Sequence, residues 1–320
     1  MRRPLFAYAS FGLCLSLSNN YAQQVGTGAI PEEVLKATIM IERAELLPVT
    51  KYEAPSNILA VIERQGSNAA VVGPKNLVTE VKSQELRFPP IGSGVLVSIS
   101  NRFFVVTAGH VISPDENVFY RIPQKNNQLP QHRPHKAIMQ STGLGWVRCT
   151  NADVAVTSIN LNIETDDVKV MPLENFSATY DKVSVGDDVF VAGYPSSVVN
   201  IGDPAMHIIR SGIVASKFGD KRLLIDVFTF PGDSGGPVFW KPSVGLSGFP
   251  GIKPRTPSLV GVIITSPLYS EGAVSPVSGR TRITFESNSG LTEIVSASRI
   301  LELFDYPEVK VSFARWNASR

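Results

Sequence analysis

Three short stretches hold residue types that could act on one another. His110 stands in Thr107-Ala108-Gly109-His110-Val111, directly after the apolar run Phe103 to Val106. Asp153 interrupts Ala152-Asp153-Val154-Ala155-Val156, which reads as an apolar strand, and an acid there is costly unless something pairs with it. Ser234 lies in Pro231-Gly232-Asp233-Ser234-Gly235-Gly236-Pro237, a turn that sets one hydroxyl among residues with little or no side chain. Singly, each has a plain structural reading: a satisfied histidine, an acid at a loop boundary, a glycine-rich turn. In the order His, Asp, Ser, separated by 43 and 81 residues, they fit a base, an acid that orients it, and a nucleophile for acyl transfer.

Such a constellation needs stiff elements to hold it, and the chain supplies short apolar or alternating runs bounded by Gly, Pro, Asn, Asp or Ser, the pattern of strands. One series is Thr38 to Glu42, Ile58 to Glu63, Gly94 to Ser98, Phe103 to Thr107, Val118 to Ile122 and Ala152 to Ser158. A second is Asp188 to Gly193, His207 to Val214, Leu223 to Phe228, Pro237 to Trp240, Leu259 to Thr265 and Arg282 to Phe285. The polar stretch Asn160 to Val185 reads as a connector between two β halves, centred on residues 160–185. Lys241 to Pro257 reads as a long surface loop. One helix is expected near the end, where Leu291, Ile294, Val295, Arg299, Leu301 and Phe304 keep roughly helical spacing. The tail 306–320 receives no assignment.

Arg2 and Arg3 precede the apolar stretch Leu5 to Leu17, which is followed by polar residues and Ala22, so residues 1–22 read as a cleaved export signal. At 13 residues the stretch falls short of the roughly 20 that span a bilayer, so no stable membrane insertion is expected after cleavage. The expected location is periplasmic or extracellular. Removing the signal takes two positive charges and no negative ones, lowering the formal charge from +2 to 0 and leaving no basic field for nucleic acid. It also leaves Cys149 alone, so folding rests on packing rather than an internal disulfide. His132, His135 and His207 lack a comparable context and read as surface or structural. No metal or cofactor motif is present in the sequence.

The segments TAGHV, ADVAV and GDSGGP resemble those of the trypsin-like (chymotrypsin-fold) serine peptidases, over about Pro90 to Phe304. DVFTFPGDSGGP, from Asp226 to Pro237, is similar to the bacterial branch that includes the HtrA proteases, which usually carry Asn where this chain has Asp233. The resemblance implies an all-β fold of two six-stranded β-barrels with a C-terminal helix, the active site lying in the cleft between the barrels. It places a peptidase domain at 89–305 and leaves 23–88 as the first strand and a long insertion or lead-in. Protein or peptide substrates are implied. Ser234 is then the nucleophile, His110 the general base and Asp153 its orienting partner, with the backbone N–H groups of Gly232 and Ser234 as the oxyanion hole.

Two departures from the family pattern matter. No amino terminus of the kind that pairs with the acid before the nucleophile is visible, so Asp233 needs another partner. The family's specificity position, six residues before the nucleophile, is Phe228 rather than Asp. Phe228 and Thr229 on one wall, with Ile264, Thr265 and Ser266 opposite, imply an uncharged pocket for an apolar or small side chain, unless Phe228 fills it. The 86 residues after Ser234 are expected to be used by the closing strands and helix, without an appended PDZ domain. A catalytically inactive protein that keeps the barrels for binding or scaffolding is the alternative, although such proteins normally lose a triad member. An esterase usually shows the order Ser, acid, His and a nucleophile between strand and helix, which this chain does not.

Overall fold

The computed structural model describes residues 32–53, 61–65, 68–72, 79–112, 117–196, 207–243 and 256–318. The expected signal at residues 1–22 lies outside them, as do 244–255 of the expected surface loop and the first part of the expected strand Ile58 to Glu63. The chain divides into two compact units, Met1–Arg43 with Pro90–Arg320, and Ala44–Pro89.

The larger unit begins with β1 (Thr38–Arg43). The smaller unit follows, holding β2 (Glu45–Glu53), β3 (Val61–Gln65), β4 (Asn68–Val72) and β5 (Thr79–Arg87), paired as two antiparallel ribbons, β2 with β5 and β3 with β4. The chain returns as β6 (Pro90–Ile99), where Pro90 lies opposite Glu42 of β1. After it come β7 (Arg102–Thr107), β8 (Val118–Ile122), β9 (Gln131–Pro134), helix α1 (His135–Thr142), β10 (Val147–Arg148), β11 (Ala155–Ser158) and β12 (Met171–Pro172). These strands form an eight-stranded sheet in the order β10-β11-β7-β6-β1-β8-β9, with β12 added to β6. Val118, Tyr120 and Ile122 of β8 are buried while Phe119 and Arg121 are half-buried, the alternation of a strand with one face on the core.

The second half is a closed barrel. It uses β13 (Asp188–Gly193), β14 (Ile208–Lys217), β15 (Arg222–Asp226), β16 (Pro237–Trp240) and β17 (Leu259–Thr265). Then β18 (Leu268–Val274) and β19 (Thr281–Asn288) pair only with each other, and β20 (Leu291–Ser296) closes the barrel in the order β13-β14-β15-β20-β17-β16. The fold is therefore mostly β, with six strands closed in the second half and an eight-stranded sheet in the first. One apolar cluster fills the barrel, including Val189, Val191, Leu223, Ile225, Val238 and Ile294. A larger one runs from the first sheet to the final helices.

Two expectations need correction. Leu291 to Ser296 is a strand rather than the start of a helix, and α2 (Ala297–Leu303) begins only after it. Ile294 faces the barrel interior and Val295 the other core, so a strand buried on both faces produces apolar neighbours that mimic a helical stripe. Asp153 sits outside the strand expected over Ala152 to Ser158. Val154 N–H bonds Ala152 C=O at 2.9 Å in a tight turn, and β11 starts at Ala155. The tail is also ordered into a helix, α3 (Pro307–Ala318).

Candidate active site

Strand β7 ends at Thr107, and a turn closed by Val111 N–H on Ala108 C=O (3.1 Å) carries His110. The turn ahead of β11 carries Asp153. Strands β7 and β11 are paired, with Thr107 opposite Ala155, so adjacent strand ends deliver the two side chains to one place. His110 Nδ1 lies 2.6 Å from Asp153 Oδ2, and His110 N–H donates to Asp153 Oδ1 at 2.9 Å. A β-carbon on Gly109 would stand 2.7 Å from Asp153 Oδ1, so the glycine of the TAGH stretch is what lets the carboxylate reach the backbone. Burial pushes the Asp153 carboxyl up, but the bonds from His110 outweigh it and hold it below the usual range.

The turn holding Ser234 connects β15 to β16 and is fixed on every side. Asp233 N–H donates to Phe230 C=O (2.9 Å), Gly235 N–H to Ile263 C=O (2.8 Å) and Gly236 N–H to Asp233 C=O (2.8 Å). The N–H groups of Gly232 and Ser234 donate to no acceptor among the described residues. Gly232 has φ 98°, and a β-carbon there would fall 2.4 Å from Tyr194 C=O, so the position takes only glycine. Those two donors are the ones expected to hold an oxyanion.

Ser93 in β6, absent from the sequence-based site, ties this turn to both halves. Its buried hydroxyl donates to Gly232 C=O (2.7 Å) and accepts from Tyr194 N–H (2.9 Å). Its amide donates to Ser234 C=O (2.8 Å), and its carbonyl accepts from Thr107 Oγ1 (2.7 Å). A β-carbon on Gly235 would fall 2.0 Å from Thr107 Oγ1, so the turn that carries Ser234 lies directly against the strand end that leads into His110. Ser234 Oγ itself makes no hydrogen bond among the described residues.

Asp233 is fully buried, and its partner is Arg210 of β14, with Nη1 at 2.8 Å from Oδ2. Phe230 N–H also donates to Oδ2, at 2.8 Å. Burial pushes the Asp233 carboxyl above its ordinary range, against the pull of the Arg210 charge. The sequence signalled that Asp233 needed a partner but not which one, because Arg210 lies on another strand.

Of the expected pocket residues, Thr229 and Ser266 meet at 2.5 Å between hydroxyls, and Thr229 also reaches Thr292 at 2.8 Å. Ile264 is buried in the larger core and Thr265 is exposed. Phe228 is exposed and stands over Gly290, where a β-carbon would come within 3.2 Å of its ring. The other histidines are held elsewhere: His132 on Glu42 (2.5 Å), His135 on Tyr120 (2.8 Å) and His207 edge-on to Tyr194. Among the described residues no His, Cys, Asp and Glu group could hold a metal ion, and no helix is long and apolar enough to cross a membrane.

Residues 92–242 match the family model described as the trypsin-like peptidase domain. No curated protein matches the chain. Among solved structures it is similar to an HtrA-type protease determined with a decapeptide, at 15% identity and a TM-score of 0.46, over 89% of this chain and 65% of that one. It is also similar to a serine endoprotease from Yersinia pestis, at 15% identity and a TM-score of 0.44, over 91% of this chain and 66% of that one. The chain thus spans slightly less than two thirds of the length of these two proteins.

Proposed function

We propose, from the match of residues 92–242 to the trypsin-like peptidase domain, that this chain is an exported serine endopeptidase acting through an acyl-enzyme. The observation that carries the reading is the pairing of His110 with Asp153 at 2.6 Å, beside a turn in which the amides of Gly232 and Ser234 make no hydrogen bond among the described residues. An amide is a poor electrophile, so it requires both a strong nucleophile and donors for the charge that grows on its oxygen. Ser234 Oγ attacks the carbonyl carbon and His110 takes its proton. The N–H groups of Gly232 and Ser234 receive the oxyanion. His110 then returns the proton to the leaving amine, and water repeats the sequence on the ester. Asp153 fixes the imidazole tautomer and stabilises the imidazolium. Contact between Ser234 Oγ and His110 is the step left to substrate binding, since such contacts commonly tighten only in the complex.

The expected pocket residues Thr229 and Ser266 bond to one another through their hydroxyls, and no carboxylate stands among the expected pocket residues. A small or apolar side chain therefore fits before the scissile bond better than Lys or Arg, which would lose hydration without gaining a partner. Export rests on residues 1–22 and is checked by sequencing the amino terminus of the secreted protein. The decisive experiment exposes the folded protein to a serine-directed organophosphorus reagent and to an unstructured protein substrate. One adduct on Ser234, with cleavage after uncharged residues, is expected. A folded sample that takes no adduct and leaves the substrate intact would return the chain to the scaffold reading.

A further inference from the structure

The ribbon of β18 and β19 leaves the barrel at the wall of the candidate pocket. Only Ser266 and Pro267 separate it from β17, and Ser266 is the residue bonded to Thr229. Its base is fastened to the same wall. Asn288 Nδ2 donates to Thr229 C=O at 2.7 Å, and Ser289 Oγ donates to Pro267 C=O at 2.6 Å. Beyond that base neither strand pairs with a further strand among the described residues, and every residue from Leu268 to Val274 and from Thr281 to Ser287 is exposed.

Its composition is not that of a solvated arm. Opposite pairs are Tyr269 with Ser287, Glu271 with Phe285, and Ala273 with Ile283. Period-two alternation puts all six on one face, so Tyr269, Ala273, Ile283 and Phe285 make an apolar strip along it. Tyr269 and Phe285 are each 60% exposed and Ile283 57%. A two-stranded ribbon is marginal by itself, and a clustered apolar surface marks an interaction site. Each strand also keeps one edge without a ladder, onto which an extended chain can add.

We propose that this ribbon is a docking platform for the substrate polypeptide, taking an extended apolar stretch on the amino-terminal side of the cut. The inference rests on the peptidase reading above. Continuity decides the occupant: a chain whose side chain enters the pocket beside Thr229 and Ser266 has its preceding residues led along the ribbon that starts there. Seven residues of strand at about 3.3 Å each span room for roughly six or seven substrate residues.

The test measures binding, so that it does not depend on turnover. Labelled peptides that share the same four residues at the pocket, with or without a seven-residue apolar extension, are titrated by fluorescence anisotropy against Ser234→Ala protein. The extension should tighten binding by about tenfold or more, the effect of a few buried aromatic and aliphatic anchors. The added variant Tyr269→Thr, Ile283→Thr, Phe285→Thr should bring both peptides within about threefold of one another. Threonine keeps strand propensity, and circular dichroism checks the fold. An extension without effect, or one whose benefit survives the triple variant, overturns the proposal. So does a triple variant that changes an oligomer into a monomer by light scattering while peptide affinity stays the same, because the strip then belongs to a second copy. Labelling of wild-type Ser234 by the small reagent is scored separately. Its absence counts against the peptidase reading, whereas lost dependence on the extension counts against the ribbon alone.

Discussion

Two side chains with opposite electrostatic histories govern the site. The bonds from His110 hold the Asp153 carboxyl below its ordinary range, whereas burial pushes the Asp233 carboxyl above it against the pull of Arg210. Ser234→Ala should abolish proteolysis with the fold intact. Asp153→Asn should lower kcat by about four orders of magnitude through the wrong imidazole tautomer. Steady-state kinetics on a chromogenic peptide checks both, and an Asp153→Asn enzyme with full activity would remove Asp153 from the machinery. Arg210→Met leaves a carboxylate without its counter-charge in a site with no exposure, an arrangement that typically costs about 3 to 5 kcal/mol. Asp233 also anchors the amide of Phe230, so the turn carrying Gly232 and Ser234 should loosen. A lower melting temperature with lost organophosphorus labelling is expected, and wild-type labelling in that variant would show that the ion pair does not hold the turn.

Among the connecting elements, the segment between the two halves depends on one buried acid. Asp166 accepts Arg133 Nη1 at 2.8 Å and Nη2 at 2.5 Å, Asn162 N–H at 2.8 Å and Gln124 Nε2 at 3.1 Å. Burial raises its carboxyl, yet these bonds leave it below the ordinary range. A depressed folded value means that the unfolded chain binds the proton first as pH falls. Its contribution is therefore present above the usual carboxylate range and lost as pH drops through the folded value. Urea midpoints should fall on acidification more steeply in the wild type than in Asp166→Asn, and parallel curves would contradict this. Little of this network was legible beforehand, because Asn160 to Val185 read only as a polar connector. The strands β1, β8, β13, β16 and β17 were legible because their alternating or apolar runs are bounded by turn residues. β18 carries no strand signal because Ser270, Glu271 and Gly272 break any run, and β20 reads as helix because both its faces are buried. The three motif residues could be read from local context, whereas Ser93 and Arg210 act across 139 and 23 residues, a relation only the folded chain displays.

Across the molecule, the segment Ala44–Pro89 forms its own compact unit, and the ladder places Glu42 opposite Pro90 where it leaves and returns. Replacing Ala44–Pro89 by an Asn-Gly turn should leave the remaining domain folded, since a tight hairpin can join neighbouring antiparallel strands. A cooperative melt shifted by no more than about 5 °C is expected. Failure to fold would mean that the inserted unit supports the core. The order of strands in the barrel has another consequence. Its last member in sequence, β20, sits between β15 and β17, and β17 supplies the carbonyl of Ile263 that holds Gly235 beside Ser234. A nascent chain that has emerged only as far as Gly290 exposes two open edges and lacks the strand that joins them. The hydroxyl of Ser234 thus stays in an unfinished barrel while most of the polypeptide is being synthesised. On the proposed reading, the site is completed only late in the biogenesis of the chain, once the strand that closes the barrel has been made.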